Sequence, residues 1–365
     1  MADPIVVQVE LRSGVVGYGE TLPRPYVTGE TVASVIEDIP GLLMRGLEAW
    51  RPASFAAALE MIDALPQQAG DGRLLLAARA GLELALLDAY SRHFGRGISE
   101  AAGWLGLPGF GAPGSLGRIR YSGVLSGRDV AALRRSVVKM RLFGLRDLKL
   151  KVGFDDDDRR LRAVVRWLGR SLGSRTTLRV DANGAWSVEQ AIRQLGHWAD
   201  TPIACVEQPL PAGRESEVLR LRQTLNVPVM QDESLLTLQQ AERLIADGLM
   251  DAMNIRISKN GGFLPALRLA GLARQRRLLF QLGCMVGETS ILSAAGRRFL
   301  EIVPGVRFAE GSYGTFLLTG DVTSRPLRFG YGGRVKPLRG LGWGVDVDAG
   351  RLRTYCVGDP VQVRL

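Results

Sequence analysis

Five short motifs decide the fold: Lys149-Leu150-Lys151, Asp181-Ala182-Asn183, Glu207-Gln208-Pro209, Asp232-Glu233-Ser234 and Lys259-Asn260-Gly261-Gly262. Each closes a short apolar run, at 148–152, 177–180, 203–206, 227–230 and 252–257. From Lys151 the successive steps are 30, 26, 25 and 27 residues. That is the length of one strand, one helix and two loops, the period of a β/α barrel. Polar residues that recur at the carboxyl ends of parallel strands converge on one mouth, so the chemistry is expected there.

The pattern extends outward in both directions. A first barrel strand is predicted over 119–124, and helices over 128–143, 155–170, 187–198, 214–225, 236–247, 263–277 and 288–302. The seventh and eighth strands fall at 278–282 and 306–309. Ahead of the barrel, residues 4–20 read as strand, turn and strand. Helical patterns then cover 31–46, 53–63 and 72–93, with Thr28 or Thr31 as a cap, and the Gly/Pro-rich stretch 96–118 reads as a link. Beyond residue 327 the alternation stops, and short strands are expected at 344–347 and 361–365. The acidic run Asp155–Asp158 reads as a helix cap with favourable charge rather than a metal site.

Composition excludes several classes. No run of about 18 apolar residues is present, so no membrane partner is expected. The formal charge of +10 invites a nucleic-acid partner, but the basic residues form no block and have no aromatic interleaving, so none is expected. Five of the 47 basic residues are lysine, the other 42 arginine. Three of those five lysines stand at strand ends in the central stretch. Lysine shifts its pKa on burial and arginine stays protonated, so these three are candidates for chemistry. Cys205, Cys284 and Cys356 lack paired spacing and are expected as buried free thiols in a reducing, cytoplasmic setting. A homo-oligomer is expected.

Side chains two apart on a strand share a face, so Lys149 and Lys151 are expected to point into the mouth together. Two adjacent ammonium groups would lower each other's pKa from about 10.4 towards about 7–8, which makes a competent base. Asp181, Glu207 and Asp232 form an all-oxygen anionic set suited to Mg²⁺ rather than zinc. Lys259 is expected across the cleft from Lys151.

In order and spacing these residues resemble the muconate lactonizing enzyme subgroup of the enolase superfamily, which includes muconate cycloisomerases and dipeptide epimerases. Gly17–Glu20 and Val27–Thr31 also resemble that family's capping strand and mobile loop. The resemblance implies an α/β fold: a modified (β/α) barrel with an α+β capping domain formed by the N-terminal region and the C-terminal tail. The implied division is 1–115, 116–326 and 327–365. It further implies Mg²⁺ and an enediolate formed by removing a proton α to a carboxylate. Lys151 and Lys259 would be the acid/base pair, Lys149 an auxiliary charge, Asp181, Glu207 and Asp232 the ligands, and Asn183 and Glu233 their supports. Arg24 and Tyr26 would close over a small carboxylate substrate, with Glu288 beside them. With no histidine after His197, the mandelate-racemase branch is excluded. The family's opening strand, ahead of the one at Ile5, is expected to be missing or very short, which would leave a sheet edge open. Where dipeptide epimerases carry Asp-x-Asp on the eighth strand, Glu310-Gly311-Ser312 stands here, closer to the cycloisomerases. A Mg²⁺-dependent cycloisomerase is therefore expected. The alternatives are a racemase or epimerase of an N-acyl amino acid or dipeptide, an o-succinylbenzoate-synthase-like dehydratase, or a non-catalytic basic binding protein with a relict barrel.

Overall fold

A computed structural model describes residues 3–44, 47–111, 119–127 and 129–364. The boundary expected between 115 and 116 lies outside the described residues. The chain opens with β1 (Ile5–Glu10) and β2 (Val16–Thr21), an antiparallel pair, followed by α1 (Pro25–Thr28) and α2 (Val32–Asp38). Thr31 caps α2 by accepting the Ser34 N–H, while Ser34 returns the bond. Next come α3 (Phe55–Asp63), α4 (Leu76–Phe94) and α5 (Glu100–Trp104). The Ala/Leu-rich α4 is buried almost along its whole length because β2 lies directly on it. Gly19 permits that approach: a Cβ there would sit 2.1 Å from the Gly81 carbonyl.

The barrel then alternates strand and helix. Its first half holds β3 (Gly123–Leu125), α6 (Val130–Leu142), β4 (Asp147–Lys151), α7 (Asp157–Leu168), β5 (Thr177–Asp181), α8 (Val188–His197) and β6 (Ile203–Glu207). Its second half holds α9 (Val218–Thr224), β7 (Val229–Gln231), α10 (Leu238–Ala246), β8 (Ala252–Ile255), α11 (Phe263–Gln275), β9 (Leu279–Leu282), α12 (Ser290–Ile302) and β10 (Phe308–Ala309). All eight strands pair in parallel in chain order. A Tyr121–Ala309 bridge and a 2.8 Å bond from Ser122 N to the Ala309 carbonyl close the ring. Helix starts follow local chemistry: Asp129, Ser187, Thr237 and Thr289 each accept a first-turn N–H.

After β10 come α13 (Gly314–Leu317) and α14 (Ala349–Tyr355). Among the described residues, the two strands expected in this tail do not form. Val347 makes only a single bridge to Thr323, and Asp348 instead caps α14 by accepting the Arg351 N–H. Residues 356–364 run exposed without regular structure. Cys356 is therefore exposed and Cys284 half-buried; of the three thiols only Cys205 is fully buried, contrary to the expectation. The tail returns to the N-terminal layer through Trp343, whose backbone N–H donates to Asp88 and whose indole donates to the Leu84 carbonyl.

Candidate active site

Strand register builds the site. Lys151 pairs with Asp181 and Asp181 with Glu207, so three strand-end side chains stand at one level. Lys149 and Lys151 share the lumen face as expected, their Nζ atoms 3.1 and 2.9 Å from the same Asp181 oxygen. Their surroundings differ. The Lys149 side chain is 3% exposed, within 3.2 Å of Glu207 and 2.9 Å of Glu310. Burial alone would lower its pKa, but Glu207, Glu310 and Asp181 outweigh that and hold it well above the ordinary value. The expectation that the paired lysines lower each other fails for Lys149, because Glu207, joined by Glu310 from just beyond β10 and by Asp181, surrounds its amine. Lys151 keeps 35% of its side chain exposed and also bonds Asn183 Oδ1 at 2.5 Å.

The loops hold these groups in strained backbone. Asn183 and Gln208 have φ of 45° and 36° although neither is glycine. Gln208 accepts the N–H groups of Asp232 and Ser234 and donates to the Leu210 carbonyl, so it sets the position of Asp232. Asn183 also donates to Glu233 Oε1 at 3.1 Å, which ties the two supporting residues together.

Asp181, Glu207 and Asp232 are fully buried. Burial opposes ionisation of Asp181, yet Lys149 and Lys151 hold its carboxyl below the usual range. For Glu207, burial and then the charge of Asp181 win and push it up to about 7. Burial likewise opposes ionisation of Asp232, and Arg256 and Lys259 overcome it.

The sixth barrel strand departs from expectation. Asn254 points into the lumen and donates to Glu207 Oε1 at 2.8 Å, so Arg256, two residues on, follows on the same face. Its guanidinium bonds Asp232 and lies 3.7 Å from Glu207. Lys259 does not open onto the mouth. Its side chain is 0% exposed, and Nζ donates to Asp232 Oδ1, the Asp232 carbonyl and the Asn254 carbonyl at 2.9, 2.6 and 2.9 Å. Its motif serves the junction with the N-terminal layer. Thr21 and Leu22 bond the Ser258 hydroxyl, Arg79 donates to the Gly261 carbonyl, and Glu83 accepts the Leu264 N–H. Sequence reading missed Arg256, although alternation from Asn254 signals it. It singled out Glu310 without giving it a role, and it missed Asn254 and Arg179, which donates to Ser122 and Glu310 beneath the mouth.

A narrow cavity beside the carboxylates is lined by Tyr121, Arg256, Cys284, Met285, Glu288 and Ser293. Burial, then the nearby Glu20, pushes the Glu288 carboxyl up to about 8, so at neutral pH it is largely a neutral hydrogen-bonding group. Arg24 reaches the rim, where it donates to the Val286 carbonyl at 2.9 Å and the Pro23 carbonyl at 3.0 Å. Tyr26 is 75% exposed and is not brought to the cluster.

The donor set fits a hard divalent cation in chemistry: three carboxylates that repel one another, with Glu233 Oε2 buried nearby and unpartnered. As they stand, no three acidic, His or Cys side chains among the described residues form an ion cage. Lys149, Arg256 and Lys259 are interleaved with them, so a bound ion would share these carboxylates with the fixed cations.

With this geometry, the chain's relatives can be placed. Residues 130–351 match the family described as enolase C-terminal domain-like. The chain belongs to the enolase superfamily, within its muconate lactonizing and dipeptide epimerase subgroup. It is 30% identical over 295 residues to a hydrophobic dipeptide epimerase of Enterococcus faecalis, covering 80% of this chain and 77% of that one. It is 28% identical over 335 residues to muconate cycloisomerase 1 of Pseudomonas putida, covering 89% and 83%. The muconate lactonizing enzyme structure from Pseudomonas putida superposes with a TM-score of 0.82 at 27% identity, covering 97% and 95%. This protein is accordingly an isomerase-type enzyme. Among the described residues no helix is long and apolar enough to cross a membrane.

Proposed function

We propose that the enzyme removes a proton α to the carboxylate of a small acid, with Mg²⁺ held by Asp181, Glu207 and Asp232, in a cycloisomerase-like reaction. The observation that carries this reading is Lys151, a half-exposed amine 2.9 Å from Asp181 and level with Glu207. Mg²⁺, when bound, would receive the substrate carboxylate and stabilise the charge that develops on it. Lys151 moves the proton, and Asn183 aims its amine. Lys149 is a buried fixed charge that orders Asp181, Glu207 and Glu310. Glu310 is committed to Lys149 and Arg179, so it is not free to grip a substrate ammonium, which favours an acid without one. Arg24 and Glu288 stand at the rim and in the side cavity, where distal substrate groups would lie. The free thiols fit a reducing compartment, where we place the enzyme.

The epimerase relative at 30% identity supports a second reading, epimerisation of a dipeptide or N-acyl amino acid. Proton NMR in D₂O with muconate, N-succinyl amino acids and dipeptides tests both readings. The proposal expects Mg²⁺-dependent turnover or α-exchange of at least one acid, stopped by chelator. Turnover that persists in excess chelator would overturn it.

A further inference from the structure

We infer that Arg256 is the residue that stands opposite Lys151 in the mouth, and that it acts there as a fixed cation, so that proton transfer takes place at one face of the substrate only. The inference rests on the α-proton reading above. Four observations carry it. First, β4 and β8 lie four strands apart in a closed ring of eight, so their strand ends are diametrically opposed. Second, alternation after the lumen-facing Asn254 brings Arg256 inward, and its guanidinium is in fact found among Asp232 and Glu207. Third, Arg256 also lines the side cavity, and its Nε is buried without a hydrogen-bond partner, so it borders the space a substrate would enter. Fourth, the remaining lysine on this side, Lys259, has no exposed surface and spends its donors on Asp232 and Asn254.

A guanidinium offers five donors in a rigid fork and does not give up a proton in proteins. It can hold Asp232 and balance charge on the substrate, but it cannot take or return a proton. Suppose the Lys151 amine removes the α proton. The C–H bond breaks, an N–H bond forms, and the electron pair stays on the substrate, delocalised towards its carboxylate. The proton can then return only from the Lys151 side, so configuration is retained. Inversion needs a second amine on the opposite face, and among the described residues none faces the mouth there, because Lys259 is sealed from it. The site is thereby set apart from two-base epimerisation, although dipeptide epimerases are among the chain's relatives.

The test uses the Mg²⁺-supplemented enzyme and R256K in D₂O, with the probe pairs L-Ala-L-Glu/L-Ala-D-Glu and N-succinyl-L-/D-arginine. The wild type is expected to wash deuterium into one member of a pair without forming the other. R256K is expected to form the inverted epimer at least about tenfold faster than wild type, because it adds an acid/base group on the second face. Interconversion of a pair by the wild type would overturn the inference, as would an R256K enzyme that still exchanges one epimer only. If neither protein exchanges any probe, it is the reading of the reaction that fails for these acids, and the geometry is decided separately. Reductive methylation of the folded enzyme with ¹³C-formaldehyde, read by mass spectrometry, should then modify Lys151, and in R256K the amine at position 256, faster than Lys259, in line with side-chain exposures of 35%, 12% for Arg256 and 0%. A Lys259 that reacts as fast as Lys151 would overturn the inference.

Discussion

Arg256 and Lys259 bind different oxygens of one carboxylate: Arg256 Nη2 takes Asp232 Oδ2, and Lys259 Nζ takes Oδ1 at 2.9 Å. They stand three residues apart, one on the lumen face of the barrel and the other sealed beneath the loop. Their different settings lead to separable predictions about which lysine does chemistry and which holds the fold.

Lys151→Ala should lower turnover by about 10²–10⁴-fold, the usual contribution of a positioned acid/base group, with little change in melting temperature, because the side chain is partly solvated. Lys259→Met should do the opposite in kind. It strips a buried carboxylate and two carbonyls of their donor and should destabilise by about 3 kcal/mol, seen as a fall in Tm. A Lys259→Met enzyme that melts like wild type but is dead would reverse these assignments.

Glu20 makes stability depend on pH. It is fully buried at the end of β2, where it accepts the Thr289 and Leu292 N–H groups and the Thr289 hydroxyl at the start of α12. Burial pushes its carboxyl from 4.5 to about 7, with Asp321 adding to the rise. Below about pH 4.5 both the folded and the unfolded chain carry the proton. Between there and about pH 7 the folded state holds more protons than the unfolded, so stability falls as pH rises, by at most about 3 kcal/mol from this group. Above that window the loss is complete. Melting curves at pH 5 and pH 8 should therefore drop less in Glu20→Gln than in the wild type. An equal drop in both would show that Glu20 does not set the slope.

The Lys259-Asn260-Gly261-Gly262 turn is a docking element. Gly262 sits at φ 124°, and a Cβ there would meet Glu83 Oε2 at 1.1 Å. Gly262→Ala should destabilise by on the order of 3 kcal/mol or more, through backbone strain and displacement of a buried acid that accepts the Leu264 N–H. Thermal denaturation checks it, and a loss below about 1 kcal/mol would contradict the packing described.

Much of the architecture was legible because barrel periodicity and strand-end motifs are local signals. The spacing from Lys151 to Lys259 locates the middle strands, and side-chain caps such as Ser187 and Thr237 mark helix starts. Three features were not legible, each for a physical reason. The high pKa of Lys149 comes from Glu207 first and then from Glu310, which is 161 residues away and arrives only when the barrel closes. The fate of Lys259 depends on where β8 ends: the chain leaves the strand at Ile255 and turns Ser258 towards Thr21, which takes Lys259 off the lumen face. In the tail, alternating Val361 and Val363 resemble a strand, but among the described residues they pair with no strand and both stay exposed.

The central claim is that Asp181, Glu207 and Asp232 together hold one divalent cation beside Lys151. Titration of the apoenzyme with Mn²⁺, followed by electron paramagnetic resonance of the free ion, tests this without any substrate. The account predicts one ion bound per chain, displaced by Mg²⁺, and an affinity at least about tenfold weaker in Asp232→Asn because one anionic ligand is gone. A wild-type enzyme that binds no Mn²⁺, or an Asp232→Asn variant that binds it as tightly as wild type, would contradict it.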